Sequence, residues 1–329
     1  MEEKFQSNQK RSFAFKLKNS PLINLALFLV TIVTTTIAGV YWSTNIQGPI
    51  EFSQLSYGLP YAASILLILG VHEFGHYFAA VLHKVKVTLP YFIPFPPLQI
   101  LSFGTMGAVI KTKTIIPNNK AMFDIGASGP IAGFFVCLAI LIYGFTNLPT
   151  VDYILAIHPD YFSPEYGKGA INFAFGDSLL FTMLRELLTQ PGQFVPPMSE
   201  IYHYPYLCAG WFGLFVTSMN LIPVGQLDGG HIIYSMFGEK KHEAVASVSL
   251  IALIILGVSE IMAALLEINF SFGWSGWLFW ALILYFIIKV KHTPVTYFEP
   301  LGRGRMAIGI FTIIIFILSF SPSPFIFSF

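Results

Sequence analysis

Seven long apolar segments constrain the fold of this chain more than any other feature of its sequence. Each approaches the roughly 20 residues that a helix needs to cross a hydrocarbon core. They lie at residues 22–42, 60–82, 122–143, 206–236, 244–266, 274–288 and 306–320. Hydrophobic residues make up 55% of the chain and charged residues 11%, which excludes an ordinary soluble domain. We therefore predict an all-α polytopic membrane protein with about seven transmembrane helices.

The distribution of positive charge predicts how these segments are oriented. All of the 18 lysines and arginines except Lys168 and Arg185 precede the first segment or lie in the loops after the second, fourth and sixth. By the positive-inside rule, this alternation predicts a cytoplasmic N-terminus and an external C-terminus. We interpret residues 1–20 as a basic cytoplasmic tail and residues 21–325 as one membrane domain. The short tail shows no transit peptide, so the inner membrane of a bacterium is the expected location.

The rest of the composition excludes two kinds of site. The formal net charge is only +1 and the cations follow the loops, so no nucleic-acid surface is expected. Cys137 and Cys208 both fall at or inside apolar segments. They therefore imply neither a disulfide framework nor a thiolate metal site.

The second apolar segment contains three groups that are costly to bury in lipid, namely His72, Glu73 and His76. In a His-Glu-x-x-His pattern the two imidazoles stand at i and i+4 on one helical face, where they can hold a zinc ion. Ionisable residues within a membrane segment indicate a functional site. We therefore predict a metal site here, in preference to histidines that are only hydrogen-bonded between packed helices.

A catalytic zinc takes three protein ligands, and Asp228 is the best candidate for the third. It lies in the fourth segment, which prolines and glycines break in a way that suits a helix lining a polar cavity. The second and fourth segments cross in the same direction. His72 lies twelve residues before Lys84, and Asp228 lies twelve residues before Lys240. At about 1.5 Å per helical residue, each ligand is expected at a similar depth of roughly 18 Å from its cation.

Two stretches outside the crossings have expected roles. Residues 87–113 are apolar, but four prolines and two glycines exclude a crossing. The second half, residues 102–111, predicts a re-entrant strand or hairpin beside the site, whose unpaired edge could bind an extended substrate. The alternative is an interfacial loop that only packs. Residues 148–205 form the predicted external loop, with a helical pattern at 177–188 that could filter substrates.

The residues around these ligands resemble the site-2 protease family of intramembrane zinc metalloproteases. Its marks are a membrane-buried HExxH and a downstream Asn-x-x-Pro-x-x-x-Leu-Asp-Gly, which this chain carries from Asn220 to Gly229. The chain looks closest to the branch without a PDZ domain that includes cyanobacterial and chloroplast members. That resemblance rests on further motifs at residues 33–38, 90–94, 126–133, 225–231 and 320–324.

The resemblance implies peptide hydrolysis within or near the bilayer, with one Zn²⁺ per chain held by His72, His76 and Asp228. Glu73 would take the proton of the attacking water and pass it to the leaving amine. Asn220 would bind the substrate backbone or the developing oxyanion, or would otherwise stabilise the broken helix. The implied substrate is a membrane-spanning protein, such as an anti-sigma factor or a tethered regulator, cut after a site-1-type protease.

Other polar and small residues receive structural interpretations. We expect His231 to hydrogen-bond near the metal without binding it. Gly126, Gly129 and Gly133 have a spacing that allows close helix packing. The five remaining histidines fall at segment ends or in loops and are predicted to be solvated: His83, His158, His203, His242 and His292.

Three alternative functions use similar residues. A transporter of zinc or another divalent metal would also bury histidines and an aspartate, but it has no use for Glu73 as a base. A membrane metalloprotease that clips prenylated proteins would take its third ligand from a glutamate on a later helix. A catalytically dead scaffold is disfavoured because Glu73 is intact.

Overall fold

The computed structural model describes residues 20–46, 48–97, 102–167, 172–268 and 272–328, and the architecture of these residues is mainly helical. The helices are α1 (Pro21–Ser43), α2 (Leu55–Leu82), α3 (Asn119–Thr146), α4 (Asp152–Ile157), α5 (Leu179–Leu188), α6 (Pro205–Leu221), α7 (Asp228–Phe237), α8 (Glu239–Leu265), α9 (Gly276–Ile283) and α10 (Arg303–Ser319). The strands are β1 (Tyr91–Pro94), β2 (Thr105–Val109), β3 (Asn172–Phe175) and β4 (Phe325–Ser328). Short 3₁₀ turns at Phe52–Gln54 and Ile201–His203 and a π-helical turn at Leu284–Ile288 complete the elements. The predicted tail at residues 1–20 lies outside the described residues except for Ser20.

Within the described residues, four helices are long and apolar enough to cross a membrane: α1, α3, α8 and the run of α2 with its preceding turn. The seven predicted crossings are therefore not confirmed. The sixth and seventh apolar segments form shorter helices, α9 with its π-helical turn and α10. The fourth segment is divided into α6 and α7.

The break between α6 and α7 follows from its sequence. A residue before proline avoids the helical conformation, and Ile222 before Pro223 ends α6 with an extended ψ of 124°. Gly225 then adopts a φ of +55°, which L side chains rarely adopt. A Cβ at Gly225 would also overlap the backbone carbonyl of Lys289. The chain therefore turns here, and Asp228 becomes the first residue of α7.

Glycines allow α2 and α3 to approach closely. A Cβ on Gly75 would lie 2.7 Å from the carbonyl oxygen of Ser128 and 3.0 Å from the Cα of Gly129. Such distances are too short for a side chain, so only glycine permits this crossing. The expected packing role of the glycine stripe in α3 agrees with this contact.

The predicted strand hairpin is present as β1 and β2, which pair antiparallel through Tyr91–Val109 and Phe92–Ala108. Side chains of α1 hold it. The Asn24 amide donates to the backbone carbonyls of Leu89 and Pro90 at 3.0 and 2.9 Å. The hairpin therefore packs against the helices.

Segments that the charge pattern assigned to one side of the membrane meet at one end of the molecule. We call this end, around Asp124, Glu243, Lys291 and Arg305, the charged end. Arg305 Nη2 lies 2.7 Å from Asp124 Oδ2, and Lys291 Nζ lies 3.1 Å from Glu243 Oε1. Residues 147–167 and 172–204, which together we call the 147–204 segment, lie at the other end of α2. There β3 pairs antiparallel with the C-terminal strand β4, a pairing that the sequence did not predict.

The prediction that five histidines are solvated was wrong for three of them, whereas His83 and His158 are half-buried. His203, His242 and His292 are buried, and His83 Nε2 lies 2.8 Å from Asp124 Oδ2. The loops fold back onto the helix ends, so aromatic rings cover these imidazoles. Tyr234, for example, stacks on His292 with ring centroids 4.1 Å apart.

Candidate active site

His72 and His76 stand one turn apart on α2 and face α3 and α7. They are only 4% and 5% exposed, and their Nε2 atoms lie 3.1 Å apart. His76 Nδ1 lies 2.6 Å from the carbonyl oxygen of Ile125, to which only a protonated Nδ1 can donate. That hydrogen bond fixes the tautomer and leaves Nε2 of His76 free to bind a metal ion.

Asp228 brings the third donor atom to the same point. Its Oδ2 lies 3.4 Å from Nε2 of His72 and 3.3 Å from Nε2 of His76. Ligand atoms about 2.0 to 2.2 Å from one tetrahedral zinc ion lie about 3.3 to 3.6 Å from one another. Two imidazole nitrogens and one carboxylate oxygen are also a donor set that zinc accepts. These three residues therefore fit a catalytic zinc site that leaves the fourth position to water.

The glycines of α3 provide the space that the two imidazoles occupy. A Cβ on Gly129 would overlap the ring of His76, and a Cβ on Gly133 would lie 3.0 Å from the Cβ of His72. The stripe thus does more than bring two helices together. It determines where the two imidazole rings can lie.

Glu73 and Asn220 line the same cavity, which has a volume of about 610 Å³. The Glu73 side chain is 7% exposed, and its carboxylate lies beside the backbone amide of Ile110, the residue after β2. The Asn220 Nδ2 atom lies 3.4 Å from His72 Nε2. The structure therefore brings all five residues expected from the sequence into one cavity.

The free edge of β2 borders this cavity. Among the described residues β2 pairs only with β1, and Ala108, Val109 and Ile110 line the cavity wall. The backbone of Lys111 faces the side on which β1 lies, because its carbonyl oxygen accepts a hydrogen bond from the backbone amide of Thr88 at 2.9 Å. Successive residues of a strand direct their backbone groups to opposite edges. Ala108 and Ile110 therefore present theirs to the cavity.

His231 lies at the edge of the site in a chain of imidazoles. Its Nδ1 lies 2.7 Å from Nε2 of His292, whose Nδ1 lies 2.7 Å from the carbonyl oxygen of Thr293. Because His292 Nδ1 donates to that carbonyl, its Nε2 accepts from His231. This geometry agrees with the expected hydrogen-bonding role of His231. The role of His292 in this chain could not be predicted from the sequence, because the residue lies in an ordinary loop.

Comparison with known proteins agrees with this arrangement. The model of Peptidase family M50 matches residues 60–258. The probable zinc metalloprotease EGY1, chloroplastic, of Oryza sativa subsp. japonica is 31% identical over 241 residues, which cover 66% of this chain and 38% of the relative. The probable zinc metalloprotease EGY2, chloroplastic, of Arabidopsis thaliana is 27% identical over 274 residues, which cover 82% of this chain and 43% of the relative.

The chain spans about two fifths of the length of these curated relatives. The matched family region contains both histidines of α2 and Asp228. The resemblance to the site-2 protease branch with chloroplast members is thereby confirmed, and this chain belongs to Peptidase family M50, a family of zinc metalloproteases.

Proposed function

We propose that this chain is an intramembrane zinc endopeptidase that cuts the membrane-spanning segments of anchored proteins. The observation that carries the proposal is the convergence of His72, His76 and Asp228 in one cavity with Glu73. A transporter would need no carboxylate placed beside a ligand as a base. A proteolytic site does need one, because water must lose a proton as it attacks a peptide carbonyl.

Each residue of the site has its own role in the proposed hydrolysis. Zinc, when bound by the three ligands, lowers the pKa of water and polarises a carbonyl group. Glu73 accepts the proton of the attacking water and delivers it to the leaving amine. Asn220, whose amide faces the ligands, donates a hydrogen bond to the substrate carbonyl as negative charge develops there. The Ile125 carbonyl keeps His76 in its binding tautomer.

The substrate reaches this chemistry as an extended strand. A peptide bond in a transmembrane helix is shielded by its own hydrogen bonds, so the helix has to unwind before hydrolysis. The free edge of the hairpin, at Ala108 and at the carbonyl group of Ile110, offers backbone partners to the unwound segment. In that role the hairpin replaces hydrogen bonds that the substrate loses.

The substrate class and the orientation belong to the same proposal. We expect a single-span membrane protein, cut near the charged end, which the positive-inside rule places on the cytoplasmic side together with the N-terminus. An anti-sigma factor or tethered regulator and a preceding site-1-type protease are implied by the family resemblance alone. The curated relatives are chloroplast proteins and lend no support to a bacterial inner membrane in particular.

The test exchanges the base and keeps the ligands. Glu73→Gln should bind zinc and fold as the wild type does but should lose cleavage of a membrane-spanning test substrate, because an amide cannot accept the proton. Glu186→Gln is a matched control on the exposed face of α5 and should cut normally. Undiminished cleavage by Glu73→Gln would sink the mechanism. Zinc uptake into vesicles, with no cleavage by wild type, would indicate a transporter.

A further inference from the structure

A second group of metal-binding side chains lies in the 147–204 segment, away from the active site. His158 follows α4, while Glu200 and His203 flank and end the 3₁₀ turn at Ile201–His203. One donor atom from each of the three lies within 4.8 Å of the other two. His158 and His203 are 45 residues apart in sequence, so the fold, and not a local motif, brings them together.

The donor atoms of the three residues lie close together. His158 Nε2 lies 2.9 Å from His203 Nε2, and His203 Nε2 lies 3.8 Å from Glu200 Oε2. These two distances bracket the roughly 3.3 to 3.6 Å that separates the ligands of a tetrahedral ion. Small side-chain rotations would bring all three donors to ordinary zinc-binding distances.

The polar atoms of this cluster are incompletely paired without a cation. Glu200 is 5% exposed, and within the described residues its Oε2 has no hydrogen-bond partner. The hydroxyl of Tyr166 donates to the other oxygen, Oε1, at 3.2 Å. A buried carboxylate oxygen without a partner is costly, and a bound cation removes that cost. The two facing Nε2 atoms can share one proton at most.

The surroundings resemble those of an organised ligand site. The Tyr153 hydroxyl donates to the backbone carbonyl of His203 at 2.6 Å and fixes the turn that carries two of the ligands. The ring of Tyr166 packs edge-on against His158 with centroids 5.4 Å apart. The ligands are thus held by groups that do not compete for the metal position, as is usual around bound metals.

We propose that His158, Glu200 and His203 form a second metal site, which takes Zn²⁺ and joins two distant parts of the 147–204 segment to each other. Two imidazoles and a carboxylate suit zinc better than calcium or magnesium, which prefer oxygen ligands. A metal that joins residues far apart in sequence stabilises the fold, because it binds only the folded arrangement. This site does not depend on the proteolytic function, and it differs from the active site in every ligand.

Metal content of the purified full chain tests the proposal. After equilibration with zinc and removal of loosely bound ions, wild type should carry two zinc ions per chain. His158→Gln and Glu200→Gln should each carry one, and His76→Ala should also carry one. The double variant His76→Ala with His158→Gln should carry none. His83→Gln is a matched control, since His83 is also a partly exposed histidine beside a carboxylate, and it should carry two.

A second measurement decides the matter if the variants of this segment fail to fold. His76→Ala leaves the 147–204 segment intact, so it should bind one equivalent of Co²⁺, with visible absorption bands and a higher midpoint of thermal unfolding. Wild type with a single zinc ion, together with a metal-free His76→Ala that Co²⁺ does not stabilise, would overturn the second site. Cleavage by wild type would be unaffected by that outcome, so the proposed function would be judged separately.

Discussion

Gly129 offers a sharp test of how the fold positions the metal ligands. A Cβ at this position would lie 2.5 Å from both Cδ2 and Cε1 of the His76 ring. Non-bonded carbon atoms rest at about 3.5 to 4.0 Å, so Gly129→Ala should push the ring away by about 1 Å. Overpacking of this kind costs about 1 to 3 kcal/mol. Metal sites tolerate ligand displacements of only about 0.2 Å, so the effect on zinc should exceed the effect on folding.

The expected result is a protein that folds but binds zinc at least tenfold more weakly, which corresponds to about 1.4 kcal/mol. The assay is a zinc titration against a competing chelator, with the midpoint of thermal unfolding of the metal-free protein measured in parallel. Gly70→Ala is the control, because a Cβ there meets only Phe92 Cζ at 3.8 Å, an ordinary contact. Wild-type zinc affinity in Gly129→Ala would refute the reasoning that α3 determines the position of His76.

Four further predictions concern the metal, the strand edge, the substrate and the orientation in the membrane. Asp228→Ala should lose most of the zinc, and full retention, measured by elemental analysis, would remove this residue from the site. Ala108→Pro removes a backbone donor from the cavity edge and should slow cleavage with zinc retained, whereas Ala108→Ser keeps the donor and should cut normally; equal rates would contradict strand addition. Glycine introduced into the span of a substrate near the charged end should raise its rate of cleavage, because it weakens the competing helix; leucine-rich spans cut equally fast would argue against unwinding. Thr293→Cys should react with a membrane-impermeant thiol reagent from the cytoplasmic side only, and reaction from the other side alone would reverse the proposed orientation.

The convergence of His72, His76 and Asp228 could be predicted from the sequence because the chemistry of a zinc site is restrictive. Few arrangements other than a metal site explain His72, Glu73 and His76 inside an apolar segment. The Pro and Gly residues near Asp228 predict the helix break that exposes its carboxylate. The number of long crossing helices was less predictable. Apolar windows measure composition, whereas the length of α9 and α10 depends on where capping and packing end each helix.

Contacts between distant segments were beyond the reach of sequence patterns. His203 is buried where the fold brings it against His158, 45 residues away, and β3 pairs with a strand formed by the C-terminal residues. The hairpin was predicted, but its backbone geometry was not. Gly107 has a φ of +93°, which proline cannot adopt, so a proline there would distort the hairpin as well as remove a donor. Ala108 is therefore the better position for that test.

Hydrolysis inside a bilayer requires a route for water, and the cavity wall indicates where it enters. Beside the catalytic groups, the cavity is lined by polar residues from the loops at the charged end, among them Thr112, Lys113 and Thr293. The opposite end of α2 lies under the aromatic layer of the 147–204 segment, where Trp42 packs against Tyr202 with ring centroids 5.8 Å apart. In the proposed mechanism, water therefore reaches Glu73 from the charged end, and the same opening gives a cleaved, newly charged chain end a path out of the membrane. In the same mechanism, the substrate binds the strand edge in an extended form before water attacks it, so unwinding precedes hydrolysis.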